Sequence, residues 1–358
     1  MQTRYTSQMD FGLDQEQQLI VETVRRFADR DLRGWAADAD RAGAPPDRLA
    51  HVASELGFFV DAVPADAGGL LEGGYSHVAR ALRGFELGRG CAGMAAILEA
   101  SVEPALAVAT WGSAAAKSAL FEALATGGVA TFAHDSRGAL AIDGDRITGK
   151  LGPIPALAGA SHVLVASGQT LALIAAKDAR VTPVVPSGWR AGKWATLTLE
   201  AHRIDPAFVL PASAIADVLA WARASLAARA CGVAVAAMEY AQAYAADRVQ
   251  FGQPIGTFES LIRLRDDAIT TASAAKLLAL QAAWMLDTKH AQAHDTASRA
   301  RVIAGDAVTR ATIDAVQIFG GYGFVNDFPV EKLMRDARAF EALLGDERFG
   351  RVLSQKVA

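Results

Sequence analysis

"DRVQFGQPIGTFESL" (residues 247–261) and "QIFGGYGFVNDFPVEKLMRDAR" (residues 317–338) are the two stretches on which the reading of this chain turns. The first ends a long helical pattern at Arg248, exposes Phe251 and Gly252 in a turn, and restarts a helix near Thr257, whose hydroxyl is a candidate N-cap. An arginine at such a break can offer a two-pronged fork to phosphate oxygens. The second stretch puts Gln317 one turn before Gly320 and Gly321, where missing side chains let a ligand's pyrophosphate approach the backbone. The plainer alternative is a surface ion pair for Arg248 and a helix C-cap for the two glycines.

Length and composition bound what these stretches belong to. At 358 residues the chain exceeds the ~250 residues that one core usually serves, so two or three packed layers or domains are expected. Hydrophobic residues are 52% and charged residues 21%, a globular balance. A net charge of −4 and an isoelectric point near 6.0 leave no basic field to collect phosphates, so neither nucleic acid nor an anionic membrane surface is an expected partner. Any bound anion must be gripped locally. Cys91 and Cys231 lack CxxC spacing, which argues against a disulfide framework or a zinc knuckle and for a reducing compartment. Residues 1–18 lack a signal peptide's apolar core, and charged residues interrupt the Ala-rich segments short of about 18 apolar residues. A soluble, cytoplasmic chain without a membrane span is expected.

Periodicity divides the chain into three zones: a helical domain (1–127), a β domain (128–210) and a second helical domain (211–358). Asp14 is the candidate N-cap of a helix whose face carries Leu19, Val21, Val24, Phe27 and Leu32. The middle zone alternates in short runs such as "HVLVAS" and "ATLTLEAHRI", separated by Gly, Asp and Pro, as a small antiparallel β domain does. The architecture is α+β with the strands segregated in the middle. The stretch 211–247 is apolar enough to bury a subunit interface, so an oligomer is expected. His290 and His294 have the i, i+4 spacing of a metal pair but no third ligand, which reads as a solvated helix face, with no metal expected. The chain has no nucleophile elbow, Walker loop or strand-borne GxGxxG.

Taken with "FGLDQEQQLIVETVRRFADRDL" (11–32), "LGFFVDAVPADAGGL" (56–70) and "GFELGRGCAG" (84–93), the two opening stretches make the chain resemble the acyl-CoA dehydrogenase family over nearly its whole length. The resemblance implies an N-terminal helical domain, a middle antiparallel β domain and a C-terminal four-helix bundle. It implies FAD held between two subunits and an acyl-CoA thioester oxidised to the 2-enoyl-CoA. A Glu takes the α-proton, the β-hydrogen leaves as hydride to the flavin, and electrons pass on to an electron-transfer flavoprotein. By the same resemblance Arg248 with Phe251, and Gln317 with Gly320 and Gly321, match the positions through which one subunit grips the adenosine and pyrophosphate of its neighbour's FAD.

Elsewhere the chain departs from the family pattern. A strand motif resembling TEPxxGSD, which contacts the flavin, falls on "TFAHDSRGA" (131–139), where Thr131, Asp135 and Ser136 are the candidates. The following aromatic-Thr motif falls on "KLGPIPALAGA" (150–160), which has no aromatic residue. Aligning the family's catalytic segment on Gly345 puts Leu344 where the Glu belongs, and the alternative position for the base falls near Ala222. Glu341, Asp346 and Glu347 lie close enough to Leu344 to be candidate substitutes for the base, the plainer alternative being solvent-facing helix caps beside a turn. Three readings follow. The foremost is a subunit of a hetero-oligomer that completes a partner's FAD site, an arrangement the family uses for bulky substrates in lipid or steroid catabolism. The others are an active homo-oligomer with a relocated base and a flavin-free binding or scaffold protein.

Overall fold

The computed structural model describes residues 12–341 and 343. Helix α1 (Gln15–Phe27) begins in a reciprocal cap: Asp14 accepts from the Gln17 amide at 2.8 Å while the Gln17 side chain accepts from the Asp14 amide at 3.3 Å. A π-helical turn, Ala28–Leu32, joins it without a break to α2 (Arg33–Ala42). The N-terminal helical domain continues through α3 (Arg48–Glu55), α4 (His77–Gly90), α5 (Ala92–Leu98), α6 (Val102–Trp111) and α7 (Ala114–Ala125).

The middle domain packs two sheets face to face. One has the order β1 (Ala130–His134), β4 (His162–Ser167), β5 (Thr170–Ala175), β8 (Val209–Leu210); the other runs β2 (Leu140–Asp143), β3 (Arg146–Ile154), β7 (Ala195–Arg203), β6 (Arg180–Pro183). Val163, Val165 and Ile174 from the first meet Ile147, Leu197 and Leu199 from the second in one core. The pairs are antiparallel as expected except β1 with β4, which run parallel from Ala130 opposite His162 to His134 opposite Ala166. A parallel pair needs a long crossover, and the β2–β3 hairpin sits inside it.

The C-terminal bundle consists of α8 (Ala214–Asp247), a small hairpin of β9 (Val249–Gln250) and β10 (Gln253–Pro254), then α9 (Glu259–Asp287), α10 (Ala293–Phe319) and α11 (Pro329–Glu341). The alanines of α8 let its neighbours pack closely: Ala220, Ala227, Ala234 and Ala241 are all fully buried. Its crossing with α4 is made backbone to backbone. A Cβ on Gly232 would stand 2.0 Å from the Phe85 carbonyl, and one on Gly88 would stand 2.3 Å from that of Arg229.

This packing corrects two expectations. The helix within 211–247 spends its apolar surface inside its own chain, with 83% of its most apolar window buried, so it is not the exposed face of a subunit contact. The charged residues also do not break the apolar segments short of spanning length. Ala92–Trp111, Ala214–Asp247 and Glu259–Asp287 are long and apolar enough to cross a membrane by length and composition, because alanine keeps their mean hydropathy at 1.4, 1.3 and 1.2. Protein covers 89% and 83% of the first two windows but 33% of the third, leaving Ile269 and Leu277 exposed on α9.

Helix α11 ties the three layers together. The Asp336 carboxylate, 0% exposed, accepts from the Trp189 amide at 2.7 Å and is paired with Lys332, whose amine lies 3.7 Å from Cys91 Sγ. Next to it, Arg335 holds Asp40 at 2.7 Å and Glu331 at 2.6 Å.

The α4–α8 crossing yields a stability test. Gly232→Ala is expected to cost ~1–3 kcal/mol, since neither backbone can retreat. Gly74→Ala, which meets nothing within 4 Å, is the control. Equal denaturant midpoints for the two variants would show that the crossing tolerates a side chain.

Candidate functional site

Helix α8 ends at Arg248, where the backbone turns extended (φ −77°, ψ 117°), and the chain reverses through Phe251 (φ 52°) and Gly252 (φ 81°). Positive φ at both central residues is the two-residue hairpin geometry that matches strand twist. It strains a Phe, whose ring is nevertheless 94% exposed and touches Phe258 edge-on at 6.3 Å. A strained aromatic held in solvent does nothing for this chain's own core.

Helix α10 ends at Gly320 (φ 59°, ψ −134°), whose amide donates to the Gln317 carbonyl, so the C-cap reading of this glycine holds. Gly320 and Gly321 also face open space, with nothing within 4 Å of a built Cβ. An aromatic cluster joins the two helix ends: Tyr244 stacks on Phe319 at 4.2 Å, and Phe328 packs against both. The Arg248 guanidinium lies over the Tyr322 ring at 5.6 Å, and among the described residues no carboxylate pairs with it. Residues 248 and 317–322, about 70 apart in sequence, thus share one outward-facing surface. Two helix C-termini meet here, and their carbonyl ends repel anions; Arg248 supplies the compensating charge. The surface can hold an anionic group whose backbone lies against the glycines and whose flat ring lies against Phe251. Thr257 does not cap α9: its hydroxyl donates to the Pro254 carbonyl at 2.7 Å, and the helix starts after Phe258.

The sheet side offers less. Thr131 donates to the Pro155 carbonyl at 2.9 Å, while Asp135 accepts from the amides of Ala139 and Leu140 at 2.8 and 2.9 Å and from Ser167 Oγ at 2.9 Å. Burial works to raise the Asp135 carboxyl, yet these hydrogen bonds hold it below the usual range. Both side chains are therefore spent on the protein's own loops, and Ser136 is left half-buried beside them.

At the positions considered for a base, Ala222 is 6% exposed on α8 and its neighbour Arg223 donates to Ser298 Oγ at 3.2 Å. Burial, then nearby Arg301, pushes the Arg223 guanidinium down. Arg301 donates to the carbonyls of Phe340 and, at 3.4 Å, Leu343, fastening the end of α11. Glu341 is the last residue of α11; its side chain, and all of Leu344, Asp346 and Glu347, lie outside the described residues. His290 sits in the turn before α10, so it shares no helix face with His294, which pairs with Asp217 at 2.8 Å. Among the described residues no group of three or more His, Cys, Asp or Glu is placed to hold a metal.

Sequence reading missed a buried ion cluster. Arg80 meets Glu99 and Glu103 at 2.9 Å each, and Arg83 meets Glu99 at 2.7 Å and Asp61 at 2.6 Å. The signal was present as two glutamates inside the apolar run 92–108. Away from these groups a cavity of about 1040 Å³ opens beside the stacked rings of Trp111 and Trp221, 5.6 Å apart. Its four carboxylates, Asp66, Glu72, Asp217 and Asp287, outnumber its one lysine, Lys289, and suit it poorly to a polyanion.

Comparison with known proteins matches residues 14–128 to the acyl-CoA dehydrogenase N-terminal domain and residues 212–354 to the acyl-CoA dehydrogenase C-terminal domain. The probable acyl-CoA dehydrogenase YngJ of Bacillus subtilis (strain 168) is 28% identical over 96% of this chain and 98% of its own length. An acyl-CoA dehydrogenase of the same organism is 41% identical over 134 residues, and that match spans 37% of this chain and 35% of the relative. The structure of butyryl-CoA dehydrogenase from Megasphaera elsdenii superposes with a TM-score of 0.87 over 98% of this chain and 99% of that one, at 24% identity.

The ion cluster sets an acid limit on stability. Burial works to raise the Glu99 carboxyl, but Arg83 and Arg80 overcome it and hold it at about 2, against an ordinary 4.5. Its contribution is therefore complete above pH 4.5 and lost as pH falls through about 2. The melting temperature of Glu99→Gln should start lower at neutral pH and fall less across that window than the parent's. Parallel curves would assign the acid limb to other groups.

Proposed function

The chain belongs to the acyl-CoA dehydrogenase family of oxidoreductases, and we propose that it is the FAD-completing subunit of a hetero-oligomeric acyl-CoA dehydrogenase. The observation that carries this reading is the outward direction of the grip. Arg248 rests on the Tyr322 ring with no carboxylate partner among the described residues, the ring of Phe251 is exposed, and the backbone of Gly320 and Gly321 faces open space, so none of them is used up within this chain. Such residues serve a cofactor seated largely in a neighbouring subunit. The apolar outer face of α9, with Ile269 and Leu277 exposed, offers area for the contact.

The residues fit the adenosine and pyrophosphate half of FAD. Arg248 would pair with phosphate oxygens, Gly320 and Gly321 would let the pyrophosphate lie against the backbone, Gln317 would stand at the edge of the same surface, and Phe251 would cover the adenine. Bound FAD supplies the hydride acceptor for the β-hydrogen of an acyl thioester. This chain's own ring side contributes little, because Thr131 and Asp135 are committed to internal hydrogen bonds. With Leu344 and Ala222 at the two positions where a base is sought, the carboxylate that takes the α-proton comes from the partner subunit. The assembly acts in the cytoplasm on an acyl-CoA of lipid or steroid breakdown and passes its electrons to an electron-transfer flavoprotein.

Visible absorption tests the reading. Purified alone, the chain should be nearly colourless; purified with a co-expressed family member bearing the Glu, it should be yellow and should bleach with acyl-CoA. Flavin that binds and bleaches in the lone chain would establish the active homo-oligomer, and Glu341→Gln, Asp346→Asn and Glu347→Gln would then locate its base. A colourless product throughout would establish the flavin-free scaffold. In the complex, Arg248→Ala should release more FAD than Arg248→Lys, because lysine keeps the charge but loses the fork. Equal retention by parent and variants would remove Arg248 from the site.

A further inference from the structure

The loop before α4, the C-terminal ends of α6 and α9, the start of α8 and the turn before α10 surround the cavity of about 1040 Å³. One wall is a run of four rings: Tyr75 meets His77 edge-on at 5.4 Å, His77 stacks on Trp221 at 5.6 Å, and Trp221 stacks on Trp111 at 5.6 Å. Leu71, Leu106 and Leu286 line the space beside them. Aromatic and aliphatic walls around a space of this size are the usual housing of a small organic ligand. Within the run His77 is only 9% exposed, and its backbone amide donates to Asp287 at 2.6 Å, but among the described residues neither ring nitrogen has a hydrogen-bond partner. Burial, then nearby Arg80, pushes the imidazole down to about 3, so it stands neutral with one N–H to give and one lone pair to offer. A buried polar atom left without a partner is costly. Of the four acids on the lining two are committed: Asp217 pairs with His294 at 2.8 Å, and Asp287 takes the His77 and Val78 amides at 2.6 and 3.1 Å. Asp66 and Glu72 are exposed and have no side-chain partner among the described residues.

We propose that this cavity is a binding site for an organic ammonium ion with a flat or apolar body. The body lies against the ring wall, whose faces attract a cation, tryptophan most strongly. The ammonium donates to the open lone pair of His77 and is balanced by Asp66 and Glu72, whose charge is focused by the low-dielectric walls. An anion would meet that same field with Lys289 alone to help it, because no arginine lines the cavity. A neutral body of the same shape keeps the stacking and loses the rest. The cavity shares no residue with the surface around Arg248, and the inference does not rest on the acyl-CoA reading.

Calorimetric titration of the full chain tests this with tryptamine, tryptophol and indole-3-propionate, which share one ring system and are cationic, neutral and anionic. Tryptamine should bind on the order of 10-fold more tightly than tryptophol, the effect of a partly desolvated cation on a tryptophan face, and indole-3-propionate should not bind. The paired change Asp66→Asn with Glu72→Gln, on two exposed side chains, should erase the difference between amine and alcohol. His77→Phe keeps a ring and removes the nitrogens, so it should weaken the amine more than the alcohol. Trp111→Leu, at the end of the run, should weaken both; its melting is measured first, and if it unfolds, the paired acid change decides alone. Equal affinity for the three compounds, no binding of any, an amine preference that survives the paired change, or tryptamine affinity unaltered in a folded Trp111→Leu would each overturn the site. Flavin does not enter the readout, so a colourless chain that selects tryptamine upholds the site whatever becomes of the FAD reading.

Discussion

A single buried carboxylate is the constraint that the three domains share. Asp336, without solvent exposure, takes the Trp189 amide from the β domain and the Lys332 amine from its own helix, and that amine reaches Cys91 of the N-terminal domain. Arg335 adds Asp40 from the same N-terminal domain. Removing the acid would strand both a buried ammonium and a buried amide, so the group has no cheap substitute. Helix α11, which this clasp fastens, shares one core with α8, so the clasp also bears on the helix that carries Ala222 and leads to Arg248.

Much of this was legible in sequence where the code is local. The Asp14 cap, the helix–sheet–helix order and the breaks at Arg248 and Gly320 each depend on a few adjacent residues, and the structure has them. Where partners are distant, the reading failed. Alternation shows that Ala130–His134 is a strand but not that it lies parallel to His162–Ser167. Hydropathy shows that α8 is apolar but not whether its own bundle or another chain covers it. Thr257 looks like a cap until the Pro254 carbonyl is seen to hold its hydroxyl. The acids of the Glu99 cluster stood in view as charges within an apolar run, yet only tertiary contacts show which arginines they pair with.

Two charged sites follow opposite electrostatic designs. Around Glu99 one carboxylate is shared between Arg80 and Arg83 in a low-dielectric interior, with Glu103 and Asp61 completing the network, which holds α4 against the start of α6. At Arg248 the charge is exposed, rests on an aromatic face and stays free to exchange water for a ligand oxygen. The first arrangement gives rigidity and the second availability.

The contact of α4 with α8 through Gly88 and Gly232 has a consequence for motion. Where side chains intervene between helices, small displacements are absorbed by rotamer changes; here main chain meets main chain and no such cushion exists. The N-terminal domain and the bundle must then breathe as one body at this crossing. Amides on either side of it should exchange with solvent only through global opening, on the slowest timescale of the molecule. The exposed hairpin of Phe251 lies outside this crossing and is not bound by it.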